Sequence, residues 1–276
     1  MTETGILAQG VTVTYRNGYT ALREVSFESP RGSITALIGV NGSGKSTLFK
    51  SIMGFVQPSK GKICILDLPI EVALKKNLIA YVPQSEDVDW NFPVLVEDVV
   101  LMGRYGHMNF FRYARKQDYE AVRVALERVD MLAFAKRQIG ELSGGQKKRV
   151  FLARALAQKA KAILLDEPFT GVDVTTEDKI ISLLQDMRKE GAVILVSTHN
   201  LGSVREFCDH TVLIKGTVLA SGLTEKVFTE KNLEKTFGGA LHSNIFDFQG
   251  IKKNDVFMRD EQPLVLEHIQ RMEHVA

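Results

Sequence analysis

Residues 39–47 read Gly-Val-Asn-Gly-Ser-Gly-Lys-Ser-Thr, which has the Gly-x-x-x-x-Gly-Lys-Ser/Thr spacing of a phosphate-binding loop. Its flanks suit that reading. Ahead of it lies a short apolar, β-branched run of strand character (33–38, SITALI); behind it comes an apolar stretch of helix formers (48–53, LFKSIM). Between a strand and a helix, Gly39, Gly42 and Gly44 let successive backbone N–H groups turn inward on an anion, and the helix adds its positive N-terminus. Lys45 then reaches the β- and γ-phosphates, and the Ser46 hydroxyl ligates Mg2+. Gly39, Asn41, Gly42, Ser43, Gly44, Lys45, Ser46 and Thr47 are the candidate triphosphate-binding residues. A glycine turn that binds nothing is the bland alternative, and the flanking strand and helix argue against it.

The totals narrow the partners. A chain of 276 residues is long enough for one large or two modest domains with ample core. A formal net charge of +2 gives no electrostatic case for nucleic acid as a main partner. Apolar runs such as 162–165 and 193–196 are strand-length, far short of the roughly 18 residues that suggest a membrane span. The N-terminus, MTETGILAQG, has neither a basic start nor an apolar core, so no secretory signal is expected. Cys64 and Cys208 lie far apart without metal-type spacing and are expected to be two reduced core thiols.

In chain order, residues 6–15 alternate as a strand, Asn17-Gly18 turns the chain, and residues 22–27 read as the partner strand. Gly54 and Pro58 end the first helix, and 61–66 (GKICIL) and 78–82 are further strands. The character changes from residue 87: a loop, then helical patterns from 96 and over 117–134, the latter with Tyr119, Val122, Leu126 and Val129 on one face. Residues 87 to about 158 thus read as a mostly helical insert between β-rich parts, without internal repeats. Two buried strands follow, 162–165 and 193–197, separated by a helix reaching about residue 190. Thr175-x-x-Asp178 reads as the capping box that opens this helix, with Ile180, Leu184 and Met187 as its inner stripe. The rhythm is that of an open α/β sheet. Residues 233–239 (LEKTFGG) are expected to pack on the domain, and no fold is assigned from about 240 onward.

A phosphate loop becomes a hydrolase when it gains a second metal carboxylate, a base for the water and a contact to the γ-phosphate. Asp166, delivered by the strand at 162–165, meets the first need. Its neighbour Glu167 is the candidate base, a role worth ~10²–10⁴ in rate. His199, after the strand at 193–197, is the candidate γ-phosphate contact, and Gln84 bridges metal and water. Singly, each has an ordinary structural explanation; at successive strand ends they form a set. Residues 142–146 (LSGGQ) add a second anion-seeking helix start, with Ser143 as N-cap and Val150, Ala153, Leu156 and Ala157 facing inward. One triphosphate has little use for two such sites on one chain, whereas two chains arranged head to tail would each lend one.

LSGGQ, preceded by GVNGSGKS and followed by ILLDEP (163–168), resembles the nucleotide-binding subunit of ATP-binding cassette (ABC) transporters over about residues 5–240. The resemblance implies an α/β P-loop NTPase: a RecA-like core, an N-terminal antiparallel β subdomain and an inserted helical subdomain, with residues 241–276 as a tail. It implies ATP and Mg2+ as cofactors, with Ser46, Gln84 and Asp166 around the metal and Glu167, His199 and Gln84 as the catalytic group. It also implies an ATP sandwich dimer in which Ser143, Gly144, Gly145 and Gln146 of one copy contact the γ-phosphate held by the other. By the same matching Tyr15, otherwise a packing residue at a strand end, takes the adenine-stacking position, and Asp173 lies on the dimer-communication loop. The family's glutamine-rich run after the motif is here Lys147-Lys148-Arg149, a departure expected to alter surface charge without removing the chemistry.

The stretch at 88–104 and the TFGG at 236–239 are similar to the narrower subset that serves binding-protein-dependent import of manganese, iron or zinc. That implies a separate membrane permease, a metal-binding receptor protein acting indirectly, and a peripheral place on the cytoplasmic face of the plasma membrane. Trp90 and Phe92 are then candidate anchors for the permease, the alternative being that they are core residues of the helical insert. His242, His268 and His274 fit no ligand pattern and are expected to be solvated, so the carried metal is not expected to touch this chain. The rival reading, a soluble relative acting on nucleic acid or ribosomes, calls for a long coiled-coil insert or two cassettes in one chain. Here the insert is compact and the cassette single. A nucleotide kinase would leave LSGGQ unused.

Overall fold

The structure, a computed structural model, describes residues 3–84 and 93–238. β1 (Thr4–Thr14) and β2 (Thr20–Pro30) form a hairpin, and β3 (Ile34–Ile38) leads through the glycine loop into α1 (Lys45–Ile52). β4 (Lys60–Ile65), the short β5 (Leu68–Pro69) and α2 (Ile70–Lys75) come next, then β6 (Ile79–Val82). Three helices follow: α3 (Val96–Met102), α4 (Lys116–Arg128) and α5 (Gly144–Gln158). The chain then alternates through β7 (Ala162–Asp166), α6 (Val174–Lys189), β8 (Val193–Ser197), α7 (Val204–Phe207) and β9 (His210–Ile214). It ends with β10 (Val218–Leu223), α8 (Thr224–Val227) and α9 (Glu230–Phe237).

Two sheets result. One is antiparallel, in the order β2-β1-β4-β5; the other has the order β10-β9-β3-β8-β7-β6, parallel from β9 to β6 with β10 antiparallel at its edge. All residues of β3, β7 and β8 are buried, because this sheet is covered on both faces. Alternate side chains enter different cores, as the two-residue period of a strand requires. Leu37, Leu164, Val193 and Leu195 pack with Leu48, Phe49 and Ile52 of α1 and with Ile6, Val11 and Phe27 of the antiparallel sheet. Ile34, Ile163, Leu165, Ile194 and Val196 face the helices on the other side. Each fully buried Leu, Ile or Val contributes about 1.5–3 kcal/mol.

The helical lobe packs Val96, Val99 and Val100 of α3 against Val122, Ala125 and Leu126 of α4 and Val150, Phe151 and Ala153 of α5. One buried cation ties it together. Arg104 Nε donates to Asp118 Oδ1 at 3.1 Å and its Nη1 to the Ala157 carbonyl at 2.8 Å, so one guanidinium joins the ends of all three helices. Asp118 also accepts from the Arg115 amide at 2.9 Å, which sets the start of α4.

Several expectations need correction. The helix expected over 117–134 stops at Arg128, because Asp130 adopts a left-handed φ of 58° and the Met131 amide closes back on the Leu126 carbonyl. Leu132–Phe134 is a separate 3-10 turn. Tyr119 is exposed; the inward position belongs to its neighbour Asp118. α6 is capped by Asp173, whose carboxylate accepts from the Thr176 amide at 2.9 Å, and not by a box starting at Thr175. Leu156 is only partly buried on α5, while Phe151, Leu152 and Ala155 are buried there as well. The sequence pattern marks none of β5, α2, α7, β9, β10 and α8 as an element. Leu233 and Phe237 do pack on the domain, within α9. Both thiols are free, Cys208 buried and Cys64 half-buried. Trp90, Phe92, Gly239 and the three tail histidines lie outside the described residues.

Arg104→Met leaves the Asp118 charge buried without its partner and should destabilise the chain by about 3–5 kcal/mol in urea unfolding. Adding Asp118→Leu should recover most of that loss, since the orphaned charge goes with it.

Candidate functional site

Parallel strands that share a direction end on one edge, and β3, β6, β7 and β8 bring their polar followers there together. The loop after β3 is shaped by glycine where nothing else fits. A Cβ on Gly39 would meet the Ile214 carbonyl oxygen at 2.3 Å, and Gly44, at φ +101°, would place one 2.5 Å from Leu22 Cδ2. Gly42 is also left-handed, at φ +76°. Lys45 opens α1, buried, with Nζ donating to the carbonyls of Gly39 at 2.6 Å and Val40 at 3.3 Å. Burial lowers its pKa from the usual lysine value, opposed by the negative charges of Glu167 and Asp166. Ser43 Oγ is buried without a hydrogen-bond partner, a polar atom of the kind a ligand oxygen satisfies. Asn41, Gly42 and Ser46 are exposed. Tyr15, just past β1, is joined to the loop through its hydroxyl, 3.0 Å from Thr47 Oγ1.

Asp166 is the last residue of β7 and sits beside Ser197, the last of β8. Its Oδ1 accepts from Ser197 Oγ at 2.5 Å, while Oδ2 accepts from Ser46 and Tyr81 hydroxyls, both at 3.4 Å. Glu167 follows with a left-handed φ of 49°, which costs a non-glycine residue roughly 1–2 kcal/mol. Its amide is held by the carbonyl and the hydroxyl of Ser197 at 3.1 and 3.0 Å. Its Oε2 accepts from Gln84 Nε2 at 2.7 Å and Thr170 Oγ1 at 3.2 Å and lies 3.3 Å from His199 Nδ1. Three loops, after β6, β7 and β8, meet on one carboxylate oxygen. The His199 hydrogen bond, against the opposing effect of burial, holds the Glu167 carboxyl below the usual glutamate range, helped by the His199 charge, Thr170 and Lys45.

Ser46, Asp166 and the Gln84 amide oxygen offer only oxygen donors with one carboxylate, the set that suits a hard divalent ion shared with phosphates. Among the described residues no cluster of three or more His, Cys, Asp or Glu could hold a metal by itself.

The signature stretch stands elsewhere, at the start of α5 on the helical lobe. Ser143 is its N-cap, accepting from the Gln146 amide at 3.3 Å while Gln146 Oε1 accepts from the Ser143 amide at 2.9 Å. Ser143 and Gly144 are exposed, and a Cβ on Gly145 would sit 3.5 Å from Thr176 Cγ2, beside the start of α6. Asp173 is nearby, with Oδ2 accepting from the Thr176 hydroxyl at 2.8 Å; the Thr176 amide and hydroxyl lower its pKa. Two of the three residues after the motif bond to backbone carbonyls elsewhere in the chain. Arg149 Nη1 donates to the Val129 carbonyl at 3.2 Å, and Lys148 reaches the carbonyls of Glu167 and Thr170. Sequence reasoning missed Tyr81, Ser197 and Thr170 around the two acids. Only Ser197, at the end of an apolar strand, carried a legible signal.

A glycine loop, a strand-end acid pair and a capped glycine helix on a parallel α/β core define a P-loop nucleoside triphosphatase. Residues 22–170 match the family described as ABC transporter, and the chain belongs to it as an ATP-binding subunit, an ATPase coupled to transport. It is 62% identical to the chelated iron transport system membrane protein YfeB of Yersinia pestis, across 94% of this chain and 90% of that one. It is 59% identical to the manganese transport system ATP-binding protein MntA of a Synechocystis strain, across 85% and 90%. Among solved structures it is similar to a metal-chelate type ABC transporter in an inward-facing conformation, with a TM-score of 0.75 and 31% identity across 85% of this chain and 89% of that one. A dimeric ATP-binding cassette bound to ADP and phosphate gives a TM-score of 0.67 at 28% identity, across 79% and 98%. Among the described residues no helix is long and apolar enough to cross a membrane.

A carboxyl with a depressed folded pKa stabilises the fold above its unfolded pKa, and that contribution is lost as pH falls through the folded value. Glu167 is such a group. In thermal melts of the chain without nucleotide, the stability difference between wild type and Glu167→Gln should shrink as pH is lowered through and below the usual glutamate range. A difference that stays constant across that window would contradict the ionised Glu167 contact.

Proposed function

We propose that the chain is the ATP-hydrolysing subunit that powers import of a transition metal, manganese or iron ahead of zinc. It acts on a separate membrane permease fed by a metal-binding receptor, as a pair of identical copies at the cytoplasmic face of the membrane. The ATPase domain in this reading runs from residue 1 to about 240, with the helical part at about 87–158 inserted in it. The observation that carries the reading is the convergence of Gln84 and His199 on Glu167, in a chain so close to an iron and a manganese transport protein.

Two ATP molecules lie between two copies. Gly39 to Thr47 of one copy wrap each triphosphate, Lys45 neutralises its β- and γ-oxygens, and Tyr15 stacks on the adenine. Ser143 to Gln146 and Asp173 of the other copy close over the γ-phosphate. Mg2+, when bound through Ser46, Gln84 and Asp166, offsets the charge of the phosphates. Glu167 accepts a proton from a water as its oxygen attacks the γ-phosphorus. The bond from that phosphorus to the β–γ bridging oxygen breaks, and ADP and phosphate remain. His199 holds the γ-phosphate and reports its departure. Loss of the shared phosphate lets the copies part, and relative motion of helical lobe and core moves the permease.

Glu167→Gln should bind ATP as wild type does and lower kcat by ~10²–10⁴, the value of a positioned base, leaving a stable dimer visible by size exclusion. Lys45→Ala should abolish tight ATP binding in equilibrium titration. In cells deprived of the chain, uptake of labelled manganese, iron and zinc measured in parallel should fall for manganese or iron. Unchanged uptake of all three would overturn the metal assignment.

A further inference from the structure

Lys148 lies just past the first turn of α5, on the helical lobe, yet its ammonium is spent on the core. Nζ donates to the Glu167 carbonyl at 3.3 Å and also to the Thr170 carbonyl. The Thr170 amide closes back on the Glu167 carbonyl at 3.3 Å, so the lysine grips both ends of one tight turn. The first residue of that turn has the unfavourable φ of 49°. A conformation of that kind persists only where its surroundings hold it. Ser197 holds the amide side of Glu167, from the core. Lys148 holds the carbonyl side, from the helix that begins with Ser143-Gly144-Gly145-Gln146. The ammonium is half-buried, and burial lowers its pKa against the attraction of the Glu167 charge. Desolvating a lysine carries a cost that a merely solvated surface residue avoids.

We infer that Lys148 is a positioning residue for hydrolysis: by donating to the Glu167 and Thr170 carbonyls it aims the Glu167 carboxylate according to where α5 sits. The capped helix start and the base are then mechanically joined within one copy. Movement of the helical lobe away from the core withdraws the ammonium and frees the Glu167 turn. The inference rests on the reading of Glu167 as the base.

The test compares Lys148→Met, which keeps the stem and loses the donor, with Lys148→Gln, which restores a donor without charge. Both are made in the full chain co-purified with its permease and assayed in vesicles for steady-state ATP hydrolysis, with Glu167→Gln alongside. Lys148→Met should lower kcat about 10- to 100-fold, the effect of a small misplacement of a reacting group. Its KM for ATP should stay at the wild-type value, and Lys148→Gln should recover most of kcat. A Lys148→Met enzyme with wild-type kcat overturns the inference, as does one whose loss appears only in KM or is equalled by Lys148→Gln. Should Glu167→Gln hydrolyse ATP at the native rate, the base assignment itself is wrong. Should it be inactive while Lys148→Met is not, only the role of Lys148 falls.

Discussion

A parallel sheet buried on both faces has no room for chemistry along its length. In β3, β7 and β8 both alternating sets of side chains are committed to cores, one toward α1 and the antiparallel sheet, the other toward the helices. Polar side chains are therefore pushed to the ends, and because the strands run parallel, the useful ends share one edge. The glycine loop, Gln84, Asp166, Glu167 and His199 are all found there for that single reason. The order β3-β8-β7-β6 then decides who faces whom. It sets the loop beside His199, His199 beside the acid pair, and the acid pair beside Gln84.

Within that edge, charge and strain are balanced against each other. Lys45 is buried, and the acids Asp166 and Glu167 offset the cost of burying it. Glu167 is bent into a left-handed conformation and held by groups from β8, from the turn at Thr170 and from α5. Its carboxylate is met by Gln84 and His199 from two further loops. The acid is thus held at once from β8, α5 and the loops after β6, β7 and β8. The helical lobe is in turn a firm body, since Arg104 and Asp118 join its three helices around one buried ion pair. Lys148 joins that lobe to the turn that begins at Glu167.

The limits of sequence reasoning show at particular residues. Tyr119 fits the apolar stripe of α4 by spacing, yet Asp118 is the buried one, because Arg104, just past the end of α3, neutralises it. Thr175-x-x-Asp178 has the letters of a capping box, but Asp173 lies nearer the true start of α6 and satisfies the first amides. Helix α4 ends at a left-handed aspartate, Asp130, where glycine, the usual stop signal, is missing. Strand β9 pairs with β3, a partner far away in the chain, and β10 then adds to β9 as the antiparallel edge. Lys148 looks like one cation in a charged run, and only its reach to Glu167 and Thr170 distinguishes it from Lys147.

From the residues alone came the chemistry: the glycine spacing before Lys45, the acids after an apolar strand, the capped LSGGQ helix and the α/β alternation. These are local patterns, set by backbone sterics, helix-end electrostatics and side-chain periodicity within a few residues of chain. Tertiary structure alone decided the pairings: Ser197 and Tyr81 on Asp166, Gln84, Thr170 and His199 on one oxygen of Glu167, and Lys148 behind it. Such contacts join groups brought together by strand order and helix docking, and the free energy that selects those arrangements is spread over two cores rather than written at any one position.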